Sequence, residues 1–272
     1  MNAVVLRRPV ILVLLCAVAL LAVLAVRTFV AEVEAGRVVR LLDDEGTDYL
    51  DIVNISEETI PRYEKAIGLL ASASAWDPAC ARHPSAIADL SARLAGWGET
   101  MKTLAQPVRE ETLNVPELWA RADRALKTAI MLEPTNPDHH LARAWLLAST
   151  DAAEQAKELE RSVRLYPINA PLRYDVAFQY LVAGNQHEAL EHARALARND
   201  DSYLIPDSGI QFVRQQRSAW YRARLSTSYL SNALEIAWRC GIQTPDALKA
   251  MVPDIPEAQD ALSFFLEQKG LQ

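Results

Sequence analysis

The histidines are the residues in this sequence that most invite a chemical reading. His187-Glu188-Ala189-Leu190-Glu191-His192 has the composition of a zinc-protease helix, where two histidines grip a metal and a glutamate acts as base. The spacing defeats that reading. Such helices need histidines four residues apart on one face, whereas five residues leave these about 140° apart. Surface histidines are expected instead. His139 and His140, with Asp138 before them, adjoin a helix start. Neighbouring positions point in different directions, so helix-terminal or groove polar residues are expected rather than a shared metal. Glu110-Glu111 and Asp200-Asp201 are acidic pairs in loop-like sequence and read as solvated turns. There is no Gly-rich phosphate loop, no G-x-S-x-G elbow and no Cys-x-x-Cys. The expectation is no catalytic residue, no metal and no cofactor.

Charge and cysteine content narrow the classes further. A net charge of -7 is the wrong sign for phosphate binding, and no run of Lys and Arg lines a repeated face, so nucleic acid is not expected as a partner. Cys16, Cys80 and Cys240 are too few and too scattered for a disulfide framework. Free thiols are favoured over a Cys80–Cys240 bridge, and the cysteines do not fix the compartment. Half the residues are apolar, only 9 are glycine and 5 phenylalanine, and Ala and Leu abound. That is the composition of packed helices.

The first such helix lies in the apolar run Val10–Val26, 17 residues without a charge. At about 1.5 Å rise each these span roughly 25 Å, close to the hydrocarbon thickness of a bilayer. Arg7, Arg8 and Arg27 flank the run and are placed to reach the headgroup layers. A cleaved leader is the rival reading, but its apolar core is shorter, and Val23-Leu24-Ala25, the best cleavage match, lies inside the run. Cys16 follows Leu15, too bulky for a lipoprotein site. An uncleaved anchor is favoured. Arg7 and Arg8 favour a cytoplasmic N-tail and an extracytoplasmic C-terminal domain, although Arg27, Arg37 and Arg40 partly cancel that bias.

Beyond the anchor the sequence repeats itself. Leu126, Ala129, Ile130, Leu132 and Pro134 recur 33 residues later as Leu159, Ser162, Val163, Leu165 and Pro167, and Asn136 recurs as Asn169. Ala66, Leu70, Ala73 and Pro78 give the same helix ending a third time, and Ala122 belongs with Leu126, Ala129 and Pro134 in the second. The fullest unit holds Val176, Ala177, Tyr180, Gly184, Ala189, Ala193 and Leu196. On these residues the chain resembles the tetratricopeptide repeat (TPR) family, which implies antiparallel helix pairs of about 34 residues with small residues at the crossings. Small side chains let helix axes approach, and a terminal proline ends each unit. Departures are Gln155 at a crossing position and the glycine-free turn Ser149-Thr150-Asp151. His83–Trp97 reads as a first helix, followed over Gly98–Pro116, with Pro107, by a non-standard loop or lengthened helix.

The expected fold is therefore all-α, with an anchor over 1–27 and a juxtamembrane helix and acidic linker over 28–55, including Asp43-Asp44-Glu45-Gly46. A TPR-like α-α superhelix of about three and a half repeats occupies 56–200. A turn-rich break at Asp200–Gly209 begins a helical C-terminal cap over 201–272, with an amphipathic stretch near Ser226–Cys240 and a last helix from Pro256 to Gln268. In a regular stack, Leu141, Trp145, Tyr174 and Phe178 face a groove able to anchor a protein partner. If the cap or the insertion covers them, they are core. Pro253-Asp254-Ile255-Pro256-Glu257-Ala258 and Phe264–Gly270 resemble the ending of bacterial single-pass repeat proteins associated with O-antigen and exopolysaccharide machinery. The resemblance implies a non-catalytic envelope adaptor in the bacterial inner membrane. A glycan-binding or glycan-processing accessory and a cytosol-facing assembly factor remain open.

Overall fold

A computed structural model describes residues 3–43, 55–104, 113–199 and 228–271, with side chains from Cys16 onward. The Asp44-Glu45-Gly46 linker, Pro107, Glu110-Glu111 and the Asp200–Gly209 break lie outside the described residues. Within them the structure is helical, with no strand. It forms two compact units, 1–135 and 136–272.

The first unit is two antiparallel helix pairs. Helix α1 runs unbroken from Ala3 to Asp43, across the boundary drawn at residue 27. Its apolar residues Val18, Leu20, Leu21, Val23, Leu24 and Val26 are exposed, whereas Ala31 and Val38 are buried. One helix therefore changes character along its length. The later part packs on α2 (Ile60–Trp76) and completes the half repeat that begins the 56–200 region. Among the described residues α1 is the helix long and apolar enough to cross a membrane, over Cys16–Leu42. A leader sequence near the N-terminus can meet the same criterion of length and apolarity; a buried core helix does not expose such a face.

The second pair is α3 (Arg82–Thr103) and α4 (Val115–Leu132). Helix α3 is lengthened beyond Trp97, as the alternative to a loop foresaw, because Gly98 leaves room for the start of α4. A Cβ there would sit 2.6 Å from Val115 Cγ2 and 2.8 Å from Leu113 Cδ2. This unit has its own core, built on Ile60, Leu70, Leu90, Leu94, Trp97 and Leu118.

The second unit continues the pattern with α5 (Pro137–Leu147) against α6 (Ala152–Leu165) and α7 (Ala170–Val182) against α8 (Gln186–Asn199). The repeated asparagines have one job: Asn136 accepts a hydrogen bond from Asp138 N at 3.1 Å, and Asn169 accepts from Leu172 N at 2.9 Å. Each caps the first helix of its pair. Asp151 does the same for α6, accepting from Glu154 N at 3.0 Å, so the turn before it closes without glycine. Gly184, at φ 78°, ends α7 in the left-handed conformation, and Asn185 N donates to Tyr180 O at 2.9 Å. Helices α9 (Tyr229–Arg239), α10 (Pro245–Lys249) and α11 (Pro256–Gln268) follow, with α9 packed on α7 and α8, and α11 on α9.

The crossings are made by alanine. Ala66, Ala73, Ala122, Ala129, Ala177, Ala189 and Ala193 have no exposed surface, and Leu70, Leu126, Leu159 and Tyr180 are buried beside them. Pro78, Pro134 and Pro167 sit exposed just beyond the second helices, where they block continuation. The fold is thus all-α, of tetratricopeptide-like helix pairs followed by a helical C-terminal segment. Replacing Ala193 by Leu overpacks a crossing and is expected to cost about 1–3 kcal/mol. Thermal denaturation should show a clear fall in Tm for Ala193→Leu and almost none for Leu at exposed Ala153.

Candidate functional site

The first helices α5 and α7 carry two matched stripes. Leu141 and Trp145 lie one turn apart on α5, as do Tyr174 and Phe178 on α7. The structure brings them together. The Trp145 and Phe178 ring centroids are 6.3 Å apart, and Phe178 lies 6.1 Å from Tyr174. Tyr174 in turn lies 6.2 Å from Tyr229 at the start of α9. Four aromatic rings thus run across three helices. Sequence comparison missed Tyr229, because it stands outside the repeats and no internal match points to it.

The members of the row are not equivalent. Leu141, Tyr174 and Tyr229 lean on the core of this unit. Trp145 is 45% exposed, Phe178 is half-buried, and neither belongs to that core. Val182, one turn beyond Phe178 on α7, is also exposed. Beside the row sit two acids. Burial, then the neighbouring Asp138 carboxylate, holds the Asp175 carboxyl above its ordinary range. Among the described residues no cation pairs with either side chain. An aromatic, partly apolar surface with uncompensated negative charge favours an occupant that brings a positive charge.

Behind this surface lies a polar network between α5 and α6. Glu158 is fully buried. It accepts from Arg143 at 2.5 Å and Arg161 at 3.1 Å, and its other oxygen lies 2.5 Å from His140 Nδ1. Arg143 also reaches Glu154 at 3.2 Å. Gln155, the residue too large for its crossing, donates to Gln179 at 3.0 Å across α6 and α7. Its amide is tolerated there because a second amide answers it. His139 and His140 lie in the first turn of α5, at a helix terminus, and both are buried, His139 beside Asn136 at 3.3 Å.

The surface position expected for His192 is corrected. The residue is buried, stacked on Tyr180 at 5.4 Å and 5°, with Arg173 at 3.4 Å and Glu160 at 3.7 Å. Its position three residues after Ala189 and four before Leu196 was the available signal: all three share the core face of α8. His187 stays exposed, 3.8 Å from Glu191, so the two histidines are separated. Among the described residues no group of His, Cys, Asp and Glu could hold a metal. All three cysteines are free thiols, and burial raises the Cys240 thiol pKa. Tyr180 is pushed up to about 12, by burial and then by Glu160.

No protein-family profile matches this chain, and no curated protein matches it. Similar solved structures include two crystal structures of MamA. One has a TM-score of 0.37 and 16% identity over 82% of this chain and 97% of that chain. The other has 0.39 and 14%, over 87% and 92%. A third is YrrB, a TPR protein with an unusual peptide-binding site, at 0.37 and 16%, over 84% and 99%.

The buried imidazoles set a pH dependence. Burial, first of all, holds both His192 and His83 below the ordinary 6.5, and among the described residues neither His83 ring nitrogen has a hydrogen-bond partner. The folded state therefore keeps these rings neutral at a pH where the unfolded chain protonates them. Stability is full above about pH 6.5 and falls as pH drops below it. Chemical denaturation at stepped pH should show that decline, and His192→Phe should flatten it.

Proposed function

We propose that this chain is a non-catalytic, membrane-anchored scaffold that holds a protein partner against the α5–α7–α9 face. The observation that carries the reading is the aromatic row, because Trp145 and Phe178 present large apolar surface that the core does not use. Aromatic side chains at the centre of such a face supply most of an interface's binding energy. Asp138 and Asp175 give the face a sign. The fitting partner is a segment that sets an Arg or Lys beside aliphatic or aromatic side chains. Binding of that cation lowers the Asp175 pKa back towards its ordinary range and releases a proton where the carboxyl was protonated.

A photocrosslinker placed at Phe178 in native membranes tests the face directly. We expect a discrete adduct, lost when Trp145 is changed to Ala and weakened by Asp175→Asn. Because Trp145 is half in solvent, its truncation should leave Tm nearly unchanged. An undiminished adduct in both variants would sink the assignment. The tail resemblance makes components of envelope polysaccharide machinery the first partners to test.

The anchor reading rests on α1, whose exposed apolar stretch precedes a part that packs within the fold. Arg7 and Arg8 ahead of it support a cytoplasmic N-tail in a bacterial inner membrane and an extracytoplasmic repeat domain. A reporter fused after Gln272 should be active as an alkaline phosphatase and dark as a green fluorescent protein. The reverse result would place the scaffold in the cytosol.

A further inference from the structure

Arg27 ends the long apolar run, and its guanidinium does not simply extend towards water. Its Nε donates to Trp76 O at 2.9 Å and its Nη2 to Ala75 O at 3.4 Å. Both carbonyls belong to the last turn of α2, where helices leave acceptors unsatisfied. The cap is completed by Asp77 N donating to Ala73 O at 2.8 Å. Arg27 therefore fixes the end of α2 level with the end of the apolar run. Further along α1, Glu32 pairs with Arg82 at the start of α3. The α2–α3 turn is thereby tied to α1 at two heights.

What that turn exposes is unusual for a surface loop. Trp76 is 44% exposed, and Pro78 and Ala79 after it are exposed too. Its charges are few: Asp77 within it and the paired Arg82 at its end. On α1 at the same level, Val26 and Phe29 are exposed at 59% and 68%. An indole beside an arginine, where an apolar face stops, matches the border between hydrocarbon and headgroups. Trp is enriched there because its ring is amphipathic. Helix ends near lipid must have their carbonyls satisfied within the protein, and Arg27 does this for α2.

We infer that the α2–α3 turn, Trp76 to Arg82, docks on the phospholipid headgroup layer, with Trp76 as a second, interfacial anchor beside α1. The occupant of this surface is the bilayer itself. The inference rests on α1 spanning the membrane, and the two can be separated in one preparation. The full chain is incorporated in vesicles of phosphatidylglycerol and phosphatidylcholine. Flotation with the vesicles and resistance to alkaline extraction test the span. The emission lost in Trp76→Phe then isolates the Trp76 signal, with unchanged circular dichroism showing that the variant is folded. Lipids brominated near the carbonyl end of the acyl chain should quench that signal more than lipids brominated near the methyl end, and aqueous iodide should quench it weakly. A chain that floats, resists extraction and shows a Trp76 signal quenched by iodide alone would overturn the docking while leaving the span intact. A chain that does not float overturns both.

Discussion

Everything in this molecule depends on how closely two helices can approach. A side chain larger than a methyl group at a crossing pushes the axes apart, and neighbouring side chains then lose their grooves. Seven alanines without exposed surface occupy the crossings, and Gly98 does the same for the longer α3–α4 pair. The turns, caps and prolines around them deliver each helix to its crossing at the right place. Asn136 and Asn169 start the first helices at equivalent positions, which is why Trp145 and Phe178 fall into one row.

The middle pair shows what happens when the small-residue rule is relaxed. Gln155 and Glu158 both enter the buried face of α6, where an unpaired amide or carboxylate would be costly. Gln155 is answered across the helices by Gln179, and Glu158 by His140 and Arg143 on α5 and by Arg161 one turn along α6. Partners on α5 and α7 thereby hold α6 from both sides. Such contacts need particular angles and distances, so they set register, whereas alanine crossings set separation. The stripes on α5 and α7 are positioned by this combination.

Much of this was legible in the sequence, because the repeat is written in residues with a narrow physical role. Small residues 33 apart, followed by proline, cannot easily mean anything else. The burial of His192 was less legible: its position relative to Ala189 and Leu196 carries the signal, whereas its spacing from His187 does not. Tyr229 was not legible at all, since its place beside Tyr174 depends on how the chain returns after α8. Spacing alone allows either a loop or a longer α3 after Trp97; that a Cβ at residue 98 would collide with Val115 and Leu113 is something spacing cannot reveal. The continuity of α1 was hidden for a different reason. The end of an apolar run looks like the end of an element, although the hydrogen-bond ladder takes no notice of side-chain polarity.

Under the membrane-spanning reading, that continuity changes what an anchor does. Sixteen residues follow Arg27 before α1 ends at Asp43. As a flexible tether they would have a root-mean-square reach of roughly 20–24 Å in any direction. As a helix they are about 24 Å long in one direction only. The distance is similar, but orientational freedom is removed. Because α1 is also the partner of α2, the first helix pair cannot turn about the anchor without breaking its own packing at Ala31 and Val38. Under the membrane-spanning reading, the bilayer holds the first unit as firmly as α1 holds α2.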